Sequence, residues 1–176
     1  AFKDEVIFER IVRLKQIRDR YESFEKNKII QIMSQLRHHL INMDEIDKIC
    51  KQINEHERFI AYGSPTLLNL LFDFQVDMKI FDKTVLLSSV NNGKILVPKN
   101  NDLIGLFTAT GRLLGCCDAK FQEVVLDTKN TKILFSKSQI NSEYIDFSFS
   151  MDTDNDYYEM HYVFLFLFDL IKTRYY

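Results

Sequence analysis

Residues 84–117 have the sequence TVLLSSVNNGKILVPKNNDLIGLFTATGRLLGCC, in which short polar turns divide four apolar segments. Asn92-Gly93 stands between the first two segments and Thr110-Gly111 between the last two. Asn-Gly is a strong signal for a two-residue hairpin because both residues tolerate positive φ. The spacing therefore predicts consecutive strands that pair as antiparallel hairpins, at residues 84–90, 94–97, 103–109 and 112–117.

The sequence on either side extends this pattern of strands. Apolar and polar residues alternate from Phe74 to Ile80, with the period of two that is typical of a half-buried strand. Three more candidate strands follow the quoted stretch, at residues 120–126, 132–135 and 144–151. We therefore expect an α+β protein whose sheet is an antiparallel β-meander of six to eight strands.

The first 62 residues have a different period. They contain no Gly or Pro, and their apolar residues recur three and four positions apart, which predicts helix. From residue 29 onward the heptad positions are nearly all apolar, as in a coiled coil. The pattern shifts by one position near residues 25–28, so this region is either one long helix or a helical hairpin. We expect residues 1–62 to form a helical arm, a candidate coiled coil, joined to a module of residues 63–176.

Gly63-Ser64-Pro65 marks the boundary between the arm and the module. Ser64 is an N-cap candidate and Pro65 suits the first position of a helix, which predicts a short helix over residues 66–72. Residues 156–173 begin with acidic side chains and end with basic ones, a polarity that complements the dipole of a helix. We expect this C-terminal helix to pack on the sheet.

Composition and charge limit the classes of protein to consider. Of the 176 residues 46% are hydrophobic, and 23 basic against 25 acidic side chains leave a formal net charge of −2. Nucleic-acid binding normally needs a basic excess, which argues against nucleic acid as a partner. The apolar run 162–168 is much shorter than the roughly 20 residues that cross a bilayer. Three cysteines, an odd number, favour an intracellular location, cytoplasmic or nuclear, over a secreted disulfide scaffold.

Motifs with recognisable chemistry are incomplete in this chain. The five glycines form no nucleotide-binding loop, and residues 56–60 begin like a zinc-binding helix but have Ile60 in place of the second histidine. Asp152, Asp154 and Asp156 match the first ligands of a calcium loop, but the Gly and Glu that complete such a loop are missing. We therefore expect no catalytic residue, no metal site and no cofactor.

A helical arm beside a module without such chemistry predicts a non-enzymatic protein-interaction or assembly subunit. Asp152, Asp154 and Asp156 would bind a basic surface on a protein partner. The arm would pair with a second copy of itself or with another subunit through a mostly apolar seam. The residues of that seam are Ile29, Ile32, Leu36, His39, Met43, Ile46 and Ile53.

Two other functions fit the same sequence. Fifteen Phe and eight Tyr could line an apolar pocket enclosed by the curved meander, as in a ligand-binding domain. The acidic C-terminal region could instead cover the basic active site of a partner, as in a small inhibitor or immunity protein. An enzyme whose site is assembled from distant residues also stays open.

Overall fold

The computed structural model describes residues 43–90, 94–115, 117–150 and 157–175. Within these ranges no helix is both long and apolar enough to cross a membrane. The helices are α1 (Met43–Glu55), α2 (Pro65–Leu68), α3 (Phe72–Asp77), α4 (Arg112–Gly115), α5 (Ala119–Phe121) and α6 (Tyr157–Tyr175), and the strands are β1 (Arg58–Gly63), β2 (Thr84–Ser89), β3 (Asp102–Thr108), β4 (Lys132–Ser136) and β5 (Phe147–Ser150). Short 3-10 helices at Asn69–Leu71 and Met78–Phe81 extend α2 and α3, and a π-helical segment at Gln122–Leu126 extends α5.

The five strands form one sheet in the order β2-β1-β3-β4-β5, and every neighbouring pair is parallel. Arg58 of β1 lies opposite Thr84 of β2 and Asp102 of β3, so these strands begin at one edge of the sheet and end at the other. Parallel neighbours need a crossover rather than a tight turn, and helical segments lie between β1 and β2 and between β3 and β4. The predicted antiparallel meander is therefore wrong, because the protein has an α/β fold with a parallel sheet.

Several segments have a different secondary structure from the one predicted. Residues 58–62, assigned to the helical arm, belong to the strand β1 (Arg58–Gly63), in which five of six residues are buried. Residues 74–80 are helical rather than extended, and Phe74 and Met78, four positions apart, are both buried as on one face of a helix. Of the other predicted strands, residues 112–115 and 119–126 are helical and 94–97 lack regular structure.

Helical segments cover both faces of the sheet, so the core lies in two layers. One layer is aromatic: Phe107 of β3 stacks on Phe135 of β4 with ring centroids 4.6 Å apart, and both rings contact Phe168 of α6. Gly105 makes room in this layer, since a Cβ there would lie 2.6 Å from the ring of Phe59. The buried residues of the other layer are Ile60, Tyr62, Ile104, Leu106, Phe121, Val125, Leu126 and Leu134.

Helix α1 belongs to this core rather than to a coiled coil. Its buried residues are Ile46, Ile49 and Ile53, and it packs against α6. The prediction of a coiled coil is wrong for the described residues, because the apolar face that a partner helix would cover is buried within the same chain. The earlier residues of the predicted seam lie outside the described ranges, as does most of the arm, so the division at residue 62 stays a prediction: Ile29, Ile32, Leu36 and His39.

Candidate functional site

A cleft of about 420 Å³ opens at the carboxyl ends of β1 and β3. The strand order changes direction here, because β2 lies on one side of β1 while β3 to β5 follow on the other. Open parallel sheets bind ligands at such a switch point, outside the carboxyl ends of the strands. The volume is within the range of small-molecule sites. Topology and shape therefore both place the candidate site at this edge of the sheet.

Hydroxyl side chains stand in register along this edge. Thr108 at the end of β3 is paired with Ser136 of β4, which is paired with Ser150 of β5. Ser64, the residue after β1, continues the same row beside β3. Hydroxyls both donate and accept hydrogen bonds, so the row offers uncharged polar groups to a ligand.

Thr108 and Ser136 are the buried residues of this row, and only the hydroxyl of Thr108 lacks a hydrogen-bond partner among the described residues. Thr108 lines the cleft and is 6% exposed. The hydroxyl of Ser136, in contrast, donates to the carbonyl of Ser138 at 2.7 Å, and that of Ser64 accepts a long hydrogen bond of 3.5 Å from Leu67 N–H. The hydroxyl oxygen of Thr108 is not itself a buried atom without a partner, so it faces the cleft and can hydrogen-bond a ligand there.

The loop after β3 forms one side of the cleft and depends on a glycine. Gly111 has a φ of 76°, in the left-handed region, and a Cβ there would lie 2.7 Å from Ile140 Cδ1. The turn at Gly111 places the next residue, Arg112, in the cleft lining with its side chain exposed. No carboxylate pairs with Arg112 among the described residues, so its charge is available to an anion.

The remaining lining is mainly apolar, with one acidic group. Asp118 is the sole carboxylate of the described lining, and it accepts a hydrogen bond of 2.7 Å from Phe121 N–H as the N-cap of α5. Cys117 Sγ lies 3.9 Å from the carbonyl oxygen of Leu114. The apolar side chains of the lining are Leu67, Val90, Phe107, Ala109, Leu113 and Phe121. The guanidinium of Arg112, without an ion-pair partner in the described part, and the hydroxyl of Thr108 suit an anionic, polar ligand, and the single negative charge of Asp118 opposes it.

At the opposite, amino-terminal edge of the sheet, Arg58 and Asp102 form an ion pair. Arg58 Nε and Nη2 lie 2.8 and 2.5 Å from the carboxylate oxygens of Asp102, which also accepts a hydrogen bond of 2.6 Å from Lys99 N–H. Burial raises the pKa of Asp102, but the hydrogen bonds from Arg58 and Lys99 outweigh burial and hold that pKa below its ordinary value. Asn130 Nδ2 donates to the carbonyls of Lys99 and Asp102 at 2.7 and 2.9 Å. The polar groups of this edge therefore bind one another and stabilise the fold.

The structure does not bring the predicted partner-binding residues together at the cleft. Ile46 and Ile53 are buried in the core, and Met43 is partly exposed at the start of α1. The three aspartates lie outside the described residues, so their predicted role stays a prediction: Asp152, Asp154 and Asp156. Within the described ranges, no group of three or more His, Cys, Asp or Glu is arranged to hold a metal ion.

Sequence reasoning missed Ser64, Thr108 and Arg112 as site residues. It identified Ser64 as a helix cap, which the structure confirms, and it took Thr110-Gly111 for a hairpin turn. The available signal was a buried apolar run that ends in Gly or Phe and is followed at once by a hydroxyl, at both Ser64 and Thr108. This signal indicates a binding site only when the strands are parallel, because their carboxyl ends then lie at one edge of the sheet.

Solved structures of the same fold have low sequence identity to this chain. A Methanococcus jannaschii protein, whose structure infers a function of 3-hexulose-6-phosphate isomerase, is 14% identical, with a TM-score of 0.66 over 84% of this chain and 86% of that chain. Vibrio vulnificus NanR complexed with ManNAc-6P is 10% identical, with a TM-score of 0.64 over 93% of this chain and 66% of that chain. The C-terminal domain of glucosamine-fructose-6-phosphate aminotransferase from Francisella tularensis is 17% identical, with a TM-score of 0.63 over 84% and 43%. No family model and no curated protein sequence match the chain.

These matches show that the chain shares its parallel α/β fold with these proteins. The predicted non-enzymatic interaction or assembly subunit is wrong, since it relied on an antiparallel module, whereas the sheet is parallel and solved structures of the same fold include a protein inferred to be a 3-hexulose-6-phosphate isomerase. The alternative of an apolar pocket inside a curved meander fails because the sheet is not a meander. The fold match also gives no support to a small acidic inhibitor or immunity protein.

Proposed function

We propose that this chain binds a phosphorylated sugar in the cleft at the carboxyl ends of β1 and β3. The solved neighbours include a protein inferred to be a hexulose-6-phosphate isomerase and a complex with ManNAc-6P. The hydroxyls of Ser64 and Thr108 would hydrogen-bond phosphate oxygens, and the guanidinium of Arg112 would offset the phosphate charge. The apolar wall, which includes Leu67 and Val90, would contact the carbon skeleton of the sugar.

The observation that carries this proposal is that the Thr108 side chain lines the cleft without a hydrogen-bond partner among the described residues. This side chain is nearly fully buried. A phosphate oxygen in the cleft would accept a hydrogen bond from its hydroxyl in place of water. The neighbouring charge at Arg112 is also without an ion-pair partner in the described part, so two separate groups favour the same anionic ligand.

The proposal concerns binding, because the described lining contains a single candidate base for sugar isomerisation. Isomerisation moves a proton between adjacent carbons, and it needs a base within hydrogen-bonding reach of the substrate. Asp118 is the single carboxylate of the described lining, and its Oδ1 accepts the N–H of Phe121 as a helix cap. We therefore propose binding and assign no catalytic role to Asp118.

Isothermal titration calorimetry of the full chain tests the proposal. The ligands are ManNAc 6-phosphate, fructose 6-phosphate and the same two sugars without phosphate. We expect binding of the phosphorylated sugars alone, because the hydroxyls and Arg112 recognise the phosphate. A ligand at about 100 times its Kd adds about 2.7 kcal/mol to the free energy of unfolding, so thermal unfolding gives an independent check. Equal binding of the unphosphorylated sugars would contradict the proposal.

The variant Thr108→Val tests the hydroxyl itself. Valine has nearly the shape of threonine but cannot hydrogen-bond, so we expect affinity for ManNAc 6-phosphate to fall about tenfold, at the upper end of one hydrogen bond. Thr84→Val is the matched control, because Thr84 is exposed at the start of β2, at the opposite edge of the sheet. The proposal fails if the two variants bind alike.

Two sequence predictions stay outside this test. A protein partner, including a second copy of the chain, is predicted by the arm and the acidic region, most of which lie beyond the described residues. An intracellular location is likewise predicted from the odd number of cysteines.

A further inference from the structure

Two side chains of opposite charge line the cleft without pairing with each other. Arg112 is the first residue of α4 and Asp118 precedes α5, and both side chains are exposed in the lining. Neither forms an ion pair with any residue that the structure describes, so they do not neutralise one another. The cleft therefore offers one positive and one negative group to a ligand.

The negative charge of Asp118 is not needed for the structural role of this residue. Asp118 Oδ1 accepts the N–H of Phe121 at 2.7 Å as the N-cap of α5. Asparagine and serine cap helices about as well as aspartate, because a cap needs only an acceptor oxygen. The second carboxylate oxygen, Oδ2, has no hydrogen bond to the described residues. This oxygen and the charge of the carboxylate are thus available to a ligand.

A neutral sugar that carries only a phosphate does not match this pair of charges. A phosphate monoester carries a charge of about −1.5 to −2 at pH 7, so Arg112 attracts it and Asp118 repels it. A ligand that also carries an ammonium group would bring a positive charge to Asp118, where Oδ2 can accept an N–H in a charge-assisted hydrogen bond. An amino sugar phosphate has both groups on one small carbon skeleton.

We propose that the ligand of the cleft is an amino sugar phosphate, with its phosphate at Thr108 and Arg112 and its ammonium at Asp118. The inference rests on the proposed function, from which it takes the phosphate site, and it adds the class of sugar. Asp118 is then a specificity-determining residue. It favours a free amine over a hydroxyl or an acetylated amine at the same carbon, because neither of these neutral groups can offset the carboxylate charge.

Calorimetry of the full chain with three ligands tests the class of sugar. Mannosamine 6-phosphate, mannose 6-phosphate and ManNAc 6-phosphate share the phosphate and differ in one substituent, which is an ammonium, a hydroxyl or an acetamide. The titrations are made at about pH 6.5, below the ordinary pKa of an amine. We expect mannosamine 6-phosphate to bind about fivefold more tightly than the other two, as for a hydrogen-bonded ion pair at an exposed carboxylate.

The variant Asp118→Asn tests the carboxylate, since it removes the charge and keeps an acceptor for the cap. We expect the affinity for mannosamine 6-phosphate to fall about fivefold and that for mannose 6-phosphate not to fall, so the preference disappears while the urea midpoint stays the same. Glu123→Gln is the matched control. It removes the same charge from an exposed side chain of the segment that extends α5, and Glu123 does not line the cleft.

The outcomes separate this inference from the proposed function. Equal binding of mannosamine 6-phosphate and mannose 6-phosphate by the wild type overturns the inference and leaves the phosphate site standing. A preference that persists in Asp118→Asn, or that Glu123→Gln removes equally, overturns the role of Asp118. If the wild type binds none of the three ligands, the proposed function is wrong and the inference is wrong with it.

Discussion

The two edges of the same parallel sheet use their polar residues in opposite ways. At the amino-terminal edge Arg58 and Asp102 neutralise each other, with Asp102 only 2% exposed. At the carboxyl-terminal edge Thr108 and Arg112 line a cleft, and neither has a hydrogen-bond or ion-pair partner among the described residues. Charge and hydrogen-bonding capacity used within the protein stabilise the fold, whereas unused capacity is available to a ligand. The comparison predicts that substitutions at one edge change stability and those at the other change affinity.

Asp102→Asn should have the largest effect. Asparagine cannot neutralise Arg58, and its amide has one acceptor oxygen where the carboxylate has two, so the partly buried guanidinium loses one of its two short contacts and the opposing charge. Breaking one side of such a pair is strongly destabilising, so we expect the free energy of unfolding to fall by about 3 kcal/mol in urea titrations. Affinity for ManNAc 6-phosphate, measured on the folded variant, should not change. A loss of less than about 1 kcal/mol would contradict the stabilising role of the Arg58–Asp102 ion pair, because an exposed pair contributes that little.

The pH dependence of stability sharpens the same prediction. The pKa of Asp102 is held below its ordinary value in the folded protein, chiefly by the hydrogen bond from Arg58, and returns to that value on unfolding. Its contribution to stability is therefore fully present above about pH 5 and is lost as the pH falls through the folded-state pKa. We expect the free energy of unfolding of the wild type to decline more steeply with acid than that of Asp102→Asn. Parallel curves for the two proteins would contradict this assignment.

Arg112→Gln should have the next largest effect, and on affinity only. Removing one charged hydrogen bond to phosphate is expected to cost about 2 kcal/mol of binding, or roughly 30-fold in Kd. Because Arg112 is exposed and has no ion-pair partner in the described part, the urea midpoint should stay the same. Calorimetry and urea unfolding of the same preparation measure both values. A fall in stability with intact affinity would reverse the roles of the two edges.

Lys132→Met should give a smaller loss of stability. Lys132 is buried at the start of β4, and its Nζ donates to the carbonyls of Thr128 and Asn130. Methionine keeps the apolar stem but leaves both carbonyls without this donor, while it also removes a charge that is costly to bury. We expect a net loss of about 1 kcal/mol in urea unfolding and no change in sugar phosphate binding. A more stable variant would show that the desolvation of the ammonium outweighs its hydrogen bonds.

Asp47→Asn should have the smallest effect, although it repeats the Asp102 substitution chemically. The carboxylate of Asp47 lies 2.7 and 3.1 Å from Arg174, but both side chains are about half exposed. Water and salt screen such a pair, so we expect no measurable shift of the urea midpoint. If Asp47→Asn and Asp102→Asn lowered the free energy of unfolding equally, burial would not explain why the Arg58–Asp102 ion pair stabilises the fold.

The positions of most strands could be predicted from the sequence, but their directions could not. Strands were expected at residues 84–90, 103–109, 132–135 and 144–151, and each range overlaps an observed strand, β2 to β5. The C-terminal helix, expected at 156–173, is also confirmed. The strands β3 and β4 are buried on both faces and show no alternation, which is typical of parallel sheets. The glycine turn at Thr110-Gly111 fits a hairpin and a strand-to-helix crossover equally well, so local signals left the direction undecided.

The site could not be predicted because its residues meet only through that topology. Ser64 and Thr108 are far apart in the sequence, and parallel pairing of β1 with β3 brings them side by side. In the predicted antiparallel meander the ends of consecutive strands alternate between edges, so no common row of hydroxyls arises. Arg112 would then have been one of several exposed basic side chains.

The position of β1 between β2 and β3 has a consequence for the folding of the nascent chain. Arg58 pairs with Asp102, 44 positions later in the chain, and Thr84 of β2 also follows β1. A strand whose partners are synthesised after it has no sheet to join, and such long-range pairing makes folding slow. On the ribosome, the apolar run 59–62 therefore stays unpaired until β2 and β3 have emerged. In this interval the nascent chain is most exposed to aggregation and to the action of chaperones.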